Sequence, residues 1–343
     1  MRVAINGFGR IGRQAFKAIT QRHPNLDIVA INDLFDTETN AHLLKYDSNY
    51  GRFEGTLEAR ADALIVDGHE VKVFAERDWA ALPWGDLGIE LAIEATGVGT
   101  ERPMAEKHLQ AGAARVLISA PAKGEDLTVV LGVNDNTYDP DQHRIISNAS
   151  CTTNGLAPVV KVLWDSFGIT KGMMTTVHSY TNSQKILDVA GPKGAADREL
   201  RAGGLNIVPT TTGAARAVAL VVPEVQGIVD GLAYRIPTPT VSIVEFIALV
   251  RRSTTTDEVN AALRKAAAGR MDGVLDVIDE PLVSMDLKGN THSSIVDSEL
   301  TMVVGGDLVK VAAWYDNEWG YACRVSDVAN LIGTRTVPPA DSQ

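Results

Sequence analysis

The stretch Arg2-Val3-Ala4-Ile5-Asn6-Gly7-Phe8-Gly9-Arg10-Ile11-Gly12-Arg13 sets a β-branched strand against G-x-G-x-x-G and then opens a helix. Glycine is needed there because the turn is tight, because backbone must approach a pyrophosphate closely, and because helix packs on strand. The helix N-terminus then offers N–H groups and a partial positive charge to phosphates. Beyond the loop, Ile11, Ala15, Phe16 and Ile19 share one helical face, while Arg13, Gln14, Lys17 and Gln21 point away. A second strand over 27–32 ends at Asp33, 21 residues past Gly12. That is close to the separation of about 20 at which an acid accepts the ribose hydroxyls of a dinucleotide. A carboxylate there would repel a 2′-phosphate, so NAD is favoured over NADP. The hexapeptide by itself fits any glycine-rich turn; Asp33 at this spacing makes it a dinucleotide loop.

Further strands are expected over 90–95, 115–120 and 128–133, alternating with helical periodicity, which is the pattern of a parallel sheet with crossover helices. An excursion over 53–74 reads as antiparallel, with Asp67-Gly68 as a tight turn. After residue 150 the texture changes to strand-rich stretches over 172–181, 232–236, 241–250 and 298–314, with Gly305-Gly306-Asp307 as a hairpin turn. This half reads as a mixed sheet. Thr255 and Glu258 form a capping box ahead of Val259, Ala262, Leu263 and Ala266, and 213–220 is an alanine-rich helix. A last amphipathic helix over 321–332 covers a core that periodicity alone does not assign to either half.

The chain has 343 residues, enough for about two domains. Hydrophobic residues make up 45%, which excludes wholesale disorder. A net charge of −11 repels phosphate backbones and anionic headgroups, which argues against a dedicated nucleic-acid or membrane binder. The longest apolar run, 217–222, is far short of the ~18 residues that span a bilayer. Two cysteines cannot build a disulfide scaffold and lack zinc-site spacing, so a reducing cytoplasm and no metal are expected.

The run Ile145-Ile146-Ser147-Asn148-Ala149-Ser150-Cys151-Thr152-Thr153-Asn154 puts a cysteine where a strand ends and Leu156, Val159, Val160 and Leu163 begin a helical stripe. In a first helical turn the helix field favours thiolate, and an adjacent imidazole lowers the thiol further. Polar neighbours on both sides argue against a core cysteine, the commoner fate of a lone thiol; Cys323, in an apolar setting, is the structural one. Pro158 counts against an uninterrupted helix. Of seven histidines, His23, His69, His108 and His143 are expected in surface turns and helices, His292 in a polar loop, and His42 on a helix. His178 differs: it ends a strand and leads into Ser179-Tyr180-Thr181-Asn182.

Five segments together resemble the phosphorylating glyceraldehyde-3-phosphate dehydrogenases over essentially the whole length. They are Ile5 to Arg13, Ser147-Asn148-Ala149-Ser150-Cys151-Thr152-Thr153-Asn154, His178 to Thr181, Pro209-Thr210-Thr211-Thr212-Gly213-Ala214-Ala215, and Trp314-Tyr315-Asp316-Asn317-Glu318-Trp319-Gly320-Tyr321. The resemblance implies a doubly wound parallel-sheet (Rossmann) NAD domain over 1–150, joined by a C-terminal helix over 317–335. It implies a catalytic α+β domain over 151–316 with a mixed, mostly antiparallel sheet. Cys151 would be the nucleophile and His178 its acid and base. NAD would meet Asn6, Gly7, Phe8, Gly9, Arg10, Ile11, Gly12, Asp33, Arg77, Thr96, Gly97, Ser119 and Tyr321, with Asn317 on the nicotinamide carboxamide.

Thr181 and Arg235 would take the substrate phosphate; Ser150, Thr212, Gly213 and Arg198 would serve inorganic phosphate, with Arg201 as the fallback for Arg198, and Thr152 would bind substrate or phosphate. A cytoplasmic homotetramer of central carbon metabolism is implied, its loop over 180–204 reaching a neighbour's cofactor. Departures from the family pattern are Gly155 for Cys, Ser or Ala, expected to loosen the helix start, and Gly99 for Phe, expected to trim a contact near the adenosine. Two extra residues fall within 189–199, and Val189-Ala190 stands where NAD-using members carry Leu-Pro. The near alternative, erythrose-4-phosphate dehydrogenase, tends to lose the Thr-Gly pair that is intact here at Thr212-Gly213; a non-catalytic NAD-binding interaction protein is the alternative from another class.

Overall fold

A computed structural model describes residues 1–191, 194 and 197–336 of the chain. The polypeptide divides into two compact units, Met1–Val129, Asn136–Ala149 and Ala322–Gln343 against Val130–Asp135 and Ser150–Tyr321. The second unit thus also takes 130–135, which sequence reading put in the first.

In the first unit β1 (Arg2–Asn6) runs into α1 (Arg10–Arg22), followed by β2 (Asp27–Asn32), α2 (Thr37–Lys45), and a small ladder of β3 (Tyr46–Asp47) with β4 (Gly51–Arg52). The excursion supplies β5 (Leu57–Ala59), β6 (Ala63–Val66) and β7 (His69–Phe74); then come β8 (Leu91–Glu94), α3 (Arg102–Gln110), β9 (Arg115–Ile118), β10 (Leu127–Thr128) and β11 (Ile145–Ser147). These form one sheet in the order β10-β11-β9-β8-β1-β2-β7-β6-β5, parallel from β10 to β7 and antiparallel beyond. Asp67 and Gly68 both take positive φ in the β6–β7 turn. The chain leaves β1 for β2 on one side and β8 on the other, so the carboxyl ends of β1, β2 and β8 open a crevice at a change of winding direction, where open α/β sheets bind ligands. The strand expected over 128–133 stops at Thr128, because Val133 and Asn134 turn back to hydrogen-bond the Val130 carbonyl.

The second unit begins with α4 (Cys151–Phe167) and β12 (Ile169–Ser179), then β13 (Val208–Thr211), α5 (Ala214–Val221), β14 (Val229–Ile236) and β15 (Ser242–Val250). It closes with α6 (Thr256–Ala267), β16 (Leu275–Ile278), β17 (Ser294–Asp297), β18 (Met302–Val304), β19 (Leu308–Tyr315) and the start of α7 (Trp319–Thr336), whose body from Ala322 belongs to the first unit. The sheet runs β13-β14-β12-β15-β19-β17-β16 with β18 on β19. It is mixed, parallel at β12–β14 and β16–β17 and antiparallel elsewhere. Gly305 and Gly306 supply the positive φ of the β18–β19 hairpin. Thr255 caps α6, its hydroxyl accepting from Glu258 N at 3.3 Å, while the Glu258 carboxylate accepts from Thr254. Pro158 sits inside α4, which continues unbroken over 17 residues. Its apolar side chains are buried along the length of the helix, and that packing outweighs the single hydrogen bond a proline removes.

Candidate active site

Local chemistry fixes where Cys151 lies. The Ser150 hydroxyl accepts from Thr153 N at 3.0 Å, and the Ser150 carbonyl accepts from Asn154 N and from Asn154 Nδ2. Ser150 is thus the N-cap of α4 and Cys151 its first helical residue, beside the positive end of the helix. β12 brings His178 to the same place: its Nε2 lies 3.5 Å from the Cys151 sulfur. The parallel pairing of β14 on β12 puts Arg235 directly opposite His178, and Arg235 Nη1 reaches both the imidazole and the Ser179 carbonyl.

His178 Nδ1 is 2.7 Å from the Ser179 carbonyl. A carbonyl only accepts and the Arg235 guanidinium only donates, so Nδ1 faces one partner of each kind; with the proton on Nδ1, the Nε2 lone pair faces the sulfur, the tautomer a base requires. Burial, and then the Arg235 charge, lowers the imidazole to about 3, so it is neutral. Burial likewise raises the Cys151 thiol above its ordinary value, against lowering by Arg235 and by hydrogen bonds from Thr152. Burial thus opposes the helix field that favours the thiolate in a first helical turn. Burial disfavours charge on both groups, the Arg235 charge and the Thr152 hydrogen bonds favour the thiolate, and the thiol proton has Nε2 within reach to receive it.

Tyr315, 1% exposed at the end of β19, ties the floor together. Its hydroxyl meets Thr152 Oγ1 at 2.9 Å and Thr176 Oγ1 at 2.7 Å, and its ring stands edge-on to His178. Gly155 packs closely against it: a Cβ there would come within 3.1 Å of the Tyr315 ring. Asn317 is buried, its Oδ1 accepting from Ser242 Oγ at 2.9 Å, and Ser242 Oγ in turn accepts from Ser179 N.

The anion-site candidates are less closely gathered. Thr212 accepts from Ala214 N at the start of α5, and a Cβ on Gly213 would meet nothing within 4 Å, so this turn is open. Thr181 lies in an exposed turn closed by Gln184. Arg198 rims a recess of about 470 Å³ with Thr210 and Thr211. Arg201, the fallback, is engaged by Asp188 at 3.0 Å. The extra residues expected within 189–199 fall partly on 192, 193, 195 and 196, which lie outside the described residues.

In the first unit, Asn6, Gly7, Gly9, Asp33, Arg77 and Thr96 line one crevice of about 460 Å³, a volume suited to part of a dinucleotide. Gly7 has φ +89° and a Cβ on Gly12 would lie 2.0 Å from the Gly7 carbonyl, so the loop closes only with glycine. Asp33 accepts from Phe8 N at 2.7 Å and from Phe35 N at 3.1 Å, which aims its carboxylate while leaving acceptor capacity for hydroxyls. These residues fit NAD. Phe8 packs on Phe16 and contributes backbone; Arg10 is committed to Asp47 at 2.6 Å; Ser119 Oγ donates to the Glu94 carbonyl; Gly97 has positive φ; Tyr321 is buried, its hydroxyl pushed well above the ordinary value by that burial.

Sequence reading missed Trp79 and Glu76 in this crevice and misplaced His108, which is fully buried against Trp79 and Trp84 rather than on a surface helix. The i, i+3 spacing of Ala105 and His108, both buried on α3, was the available signal. Nor does Gly99 leave a gap: a Cβ would lie 2.8 Å from Trp79, whose ring fills that space. Among the described residues no His, Cys, Asp or Glu cluster could hold a metal, and no helix is long and apolar enough to cross a membrane.

Residues 1–102 match the family model described as the NAD binding domain of glyceraldehyde 3-phosphate dehydrogenase, and residues 150–317 match the model of its C-terminal domain. The chain is 57% identical over 332 residues to the glyceraldehyde-3-phosphate dehydrogenase of Thermotoga maritima, covering 96% of this chain and 98% of that protein. It is 53% identical over 335 residues to the enzyme of that name from Geobacillus stearothermophilus, covering 98% and 99%.

Proposed function

Because the chain belongs to the glyceraldehyde-3-phosphate dehydrogenase family, we propose that it oxidises D-glyceraldehyde 3-phosphate with NAD and inorganic phosphate to 1,3-bisphosphoglycerate, using Cys151 as nucleophile and His178 as base. The observation that carries this reading is the Cys151 sulfur at the start of α4, 3.5 Å from the His178 Nε2. His178 accepts the thiol proton as sulfur adds to the aldehyde carbon, and returns it to the new oxyanion, giving a thiohemiacetal. The same Nε2 then accepts the hemiacetal hydroxyl proton as the carbonyl re-forms. The Gly7–Gly12 loop and Asp33 would hold NAD, which when bound would supply the hydride acceptor needed for thioester formation. Phosphate attacks the thioester carbon, the C–S bond breaks, and Cys151 leaves as thiolate to be reprotonated from the imidazolium. Arg235, with Thr181, binds the substrate phosphate; Ser150, Thr152, Thr212, Gly213 and Arg198 serve the attacking phosphate, an arrangement of neutral hydroxyls and guanidinium suited to anions.

The enzyme works as a homotetramer in the cytoplasm. One face of the second sheet supports the oligomer: α4, α5 and α6 cover the other, yet Met173, Leu232 and Ile247 stand exposed on neighbouring strands β12, β14 and β15. The loop residues Ile186, Leu187 and Leu205, between 72% and 88% exposed, are the kind of apolar surface a second copy covers. NADH formation from glyceraldehyde 3-phosphate, with and without added phosphate and beside erythrose 4-phosphate, tests the reading. Strict phosphate dependence with the triose is expected; phosphate-independent turnover or preference for the tetrose overturns it.

Asp33 sets the dinucleotide choice. Asp33→Ser is expected to lower kcat/KM for NAD by about ten- to a hundredfold, the range of a lost charged hydrogen bond, and to raise kcat/KM for NADP as the repulsion of its 2′-phosphate disappears. Initial rates with both dinucleotides check this; an unchanged ratio would remove Asp33 from the ribose site.

A further inference from the structure

We propose that Glu94, at the carboxyl end of β8, is a positioning residue for the dinucleotide: buried beneath the crevice, it anchors a hydrogen-bonded ladder that fixes the side chains of the crevice floor. This deepens the NAD-dependent reading above and rests on it.

Glu94 is only 2% exposed. Its Oε2 accepts from Asn6 Nδ2 at 2.5 Å and from His108 Nε2 at 3.2 Å, and its Oε1 accepts from Thr96 N at 2.8 Å and from the Thr96 hydroxyl. The ladder continues sideways. Asn6 Oδ1 accepts from Asn32 Nδ2 at 2.7 Å; Asn32 Nδ2 also donates to the Glu76 carbonyl, and Asn32 Oδ1 accepts from Glu76 N at 2.8 Å. It therefore crosses the carboxyl ends of β8, β1 and β2 and reaches the segment after β7. Asn6, Asn32, Glu76 and Thr96 all line the crevice; Glu94 lies under them.

The carboxylate sets the direction of every bond. Trp84 Nε1 can only donate, and it donates to His108 Nδ1 at 3.1 Å, so the imidazole proton is on Nε2 and points at Glu94. Four donors thus converge on one group, and only a side chain that accepts at both oxygens satisfies them. A glutamine of the same shape sets its amino group against Thr96 or against Asn6 and His108. If Asn6 turned its amide to relieve this, the mismatch would pass to Asn32. Space is reserved as well: a Cβ on Gly99 would lie 2.7 Å from the Glu94 carboxyl carbon. A buried polar network with one polarity wrong leaves a donor unpaired, and here that disorder falls on pocket-lining amides.

The test is Glu94→Gln, read by calorimetric NAD titration, steady-state kinetics, the urea midpoint of the NAD-free protein, and the rate of Cys151 alkylation by iodoacetamide. The expected result is a rise of about tenfold or more in both Kd and KM for NAD, with kcat at saturating NAD and the alkylation rate kept within about twofold. An unchanged Kd overturns the proposal. So does a parallel fall of kcat, alkylation rate and urea midpoint, which would make Glu94 a general prop of the fold. If Glu94→Gln does not fold, Glu94→Asp carries the test: both acceptor oxygens remain but are drawn back by one methylene. A rise of about threefold in Kd is expected there, and no rise overturns the proposal. Wild-type protein that took up no NAD would instead overturn the dehydrogenase reading itself.

Discussion

Replacing Cys151 by serine is expected to lower kcat by about 10⁴-fold or more while leaving NAD affinity unchanged. The reason is chemical rather than architectural. A serine hydroxyl fits the same helix start and accepts the same neighbours, but it is a far weaker acid than a thiol, and a neutral imidazole cannot ionise it to a useful extent. An oxygen ester would also not hold the acyl group in the activated form from which phosphate can take it. Steady-state rates with glyceraldehyde 3-phosphate, alongside calorimetric NAD titration, check the expectation. A serine variant turning over at the wild-type rate would remove Cys151 from the reaction.

His178→Asn is expected to lower kcat/KM by about 10²- to 10⁴-fold, the usual value of a positioned general base. It is also expected to slow iodoacetamide alkylation of Cys151 at neutral pH, because the thiol, raised by burial, loses the group that takes its proton. Unchanged alkylation would mean that the sulfur is ionised without help from the imidazole. The same substitution reports on stability. Burial and Arg235 hold the folded imidazole down to about 3, below its ordinary 6.5. Between those values the unfolded chain binds a proton that the folded chain does not, so this group removes about 1.4 kcal/mol of stability for each unit the pH falls. Above about 6.5 it contributes no pH dependence. The urea midpoint of His178→Asn should therefore decline less steeply on acidification than that of the wild type, and parallel curves would contradict a neutral buried imidazole.

Those two side chains show how sequence and structure divide the problem. Cys151 was legible because its signals are local: polar neighbours, a strand end before it, and a helical stripe after it. His178 was distinguishable only as the histidine at a strand end. Its lowered pKa could not be read, since it depends first on burial and then on Arg235, 57 positions later, which β14 delivers by pairing with β12. The balance on the thiol is likewise not local: burial, which opposes the helix field at Cys151, is a tertiary quantity. His108 misled because Lys107 and Gln110 advertise a surface helix, whereas the fold turns one face of α3 onto Trp79 and Trp84.

The sequence by itself determined most strands of the first sheet, the glycine loop with its acid at the matching distance, the change of texture near residue 150, and the cysteine at a helix start. All of these are carried by periodicity and by neighbours within a turn or two, where sterics and local hydrogen bonding decide. Only the tertiary structure decided how burial bears on the thiol and the imidazole, that Gly155 packs on Tyr315 and Trp79 fills the space beside Gly99, and that Glu94 lies under Asn6 and Thr96. Those outcomes rest on desolvation and close packing between segments far apart in the chain, and neither quantity exists until the strands have paired.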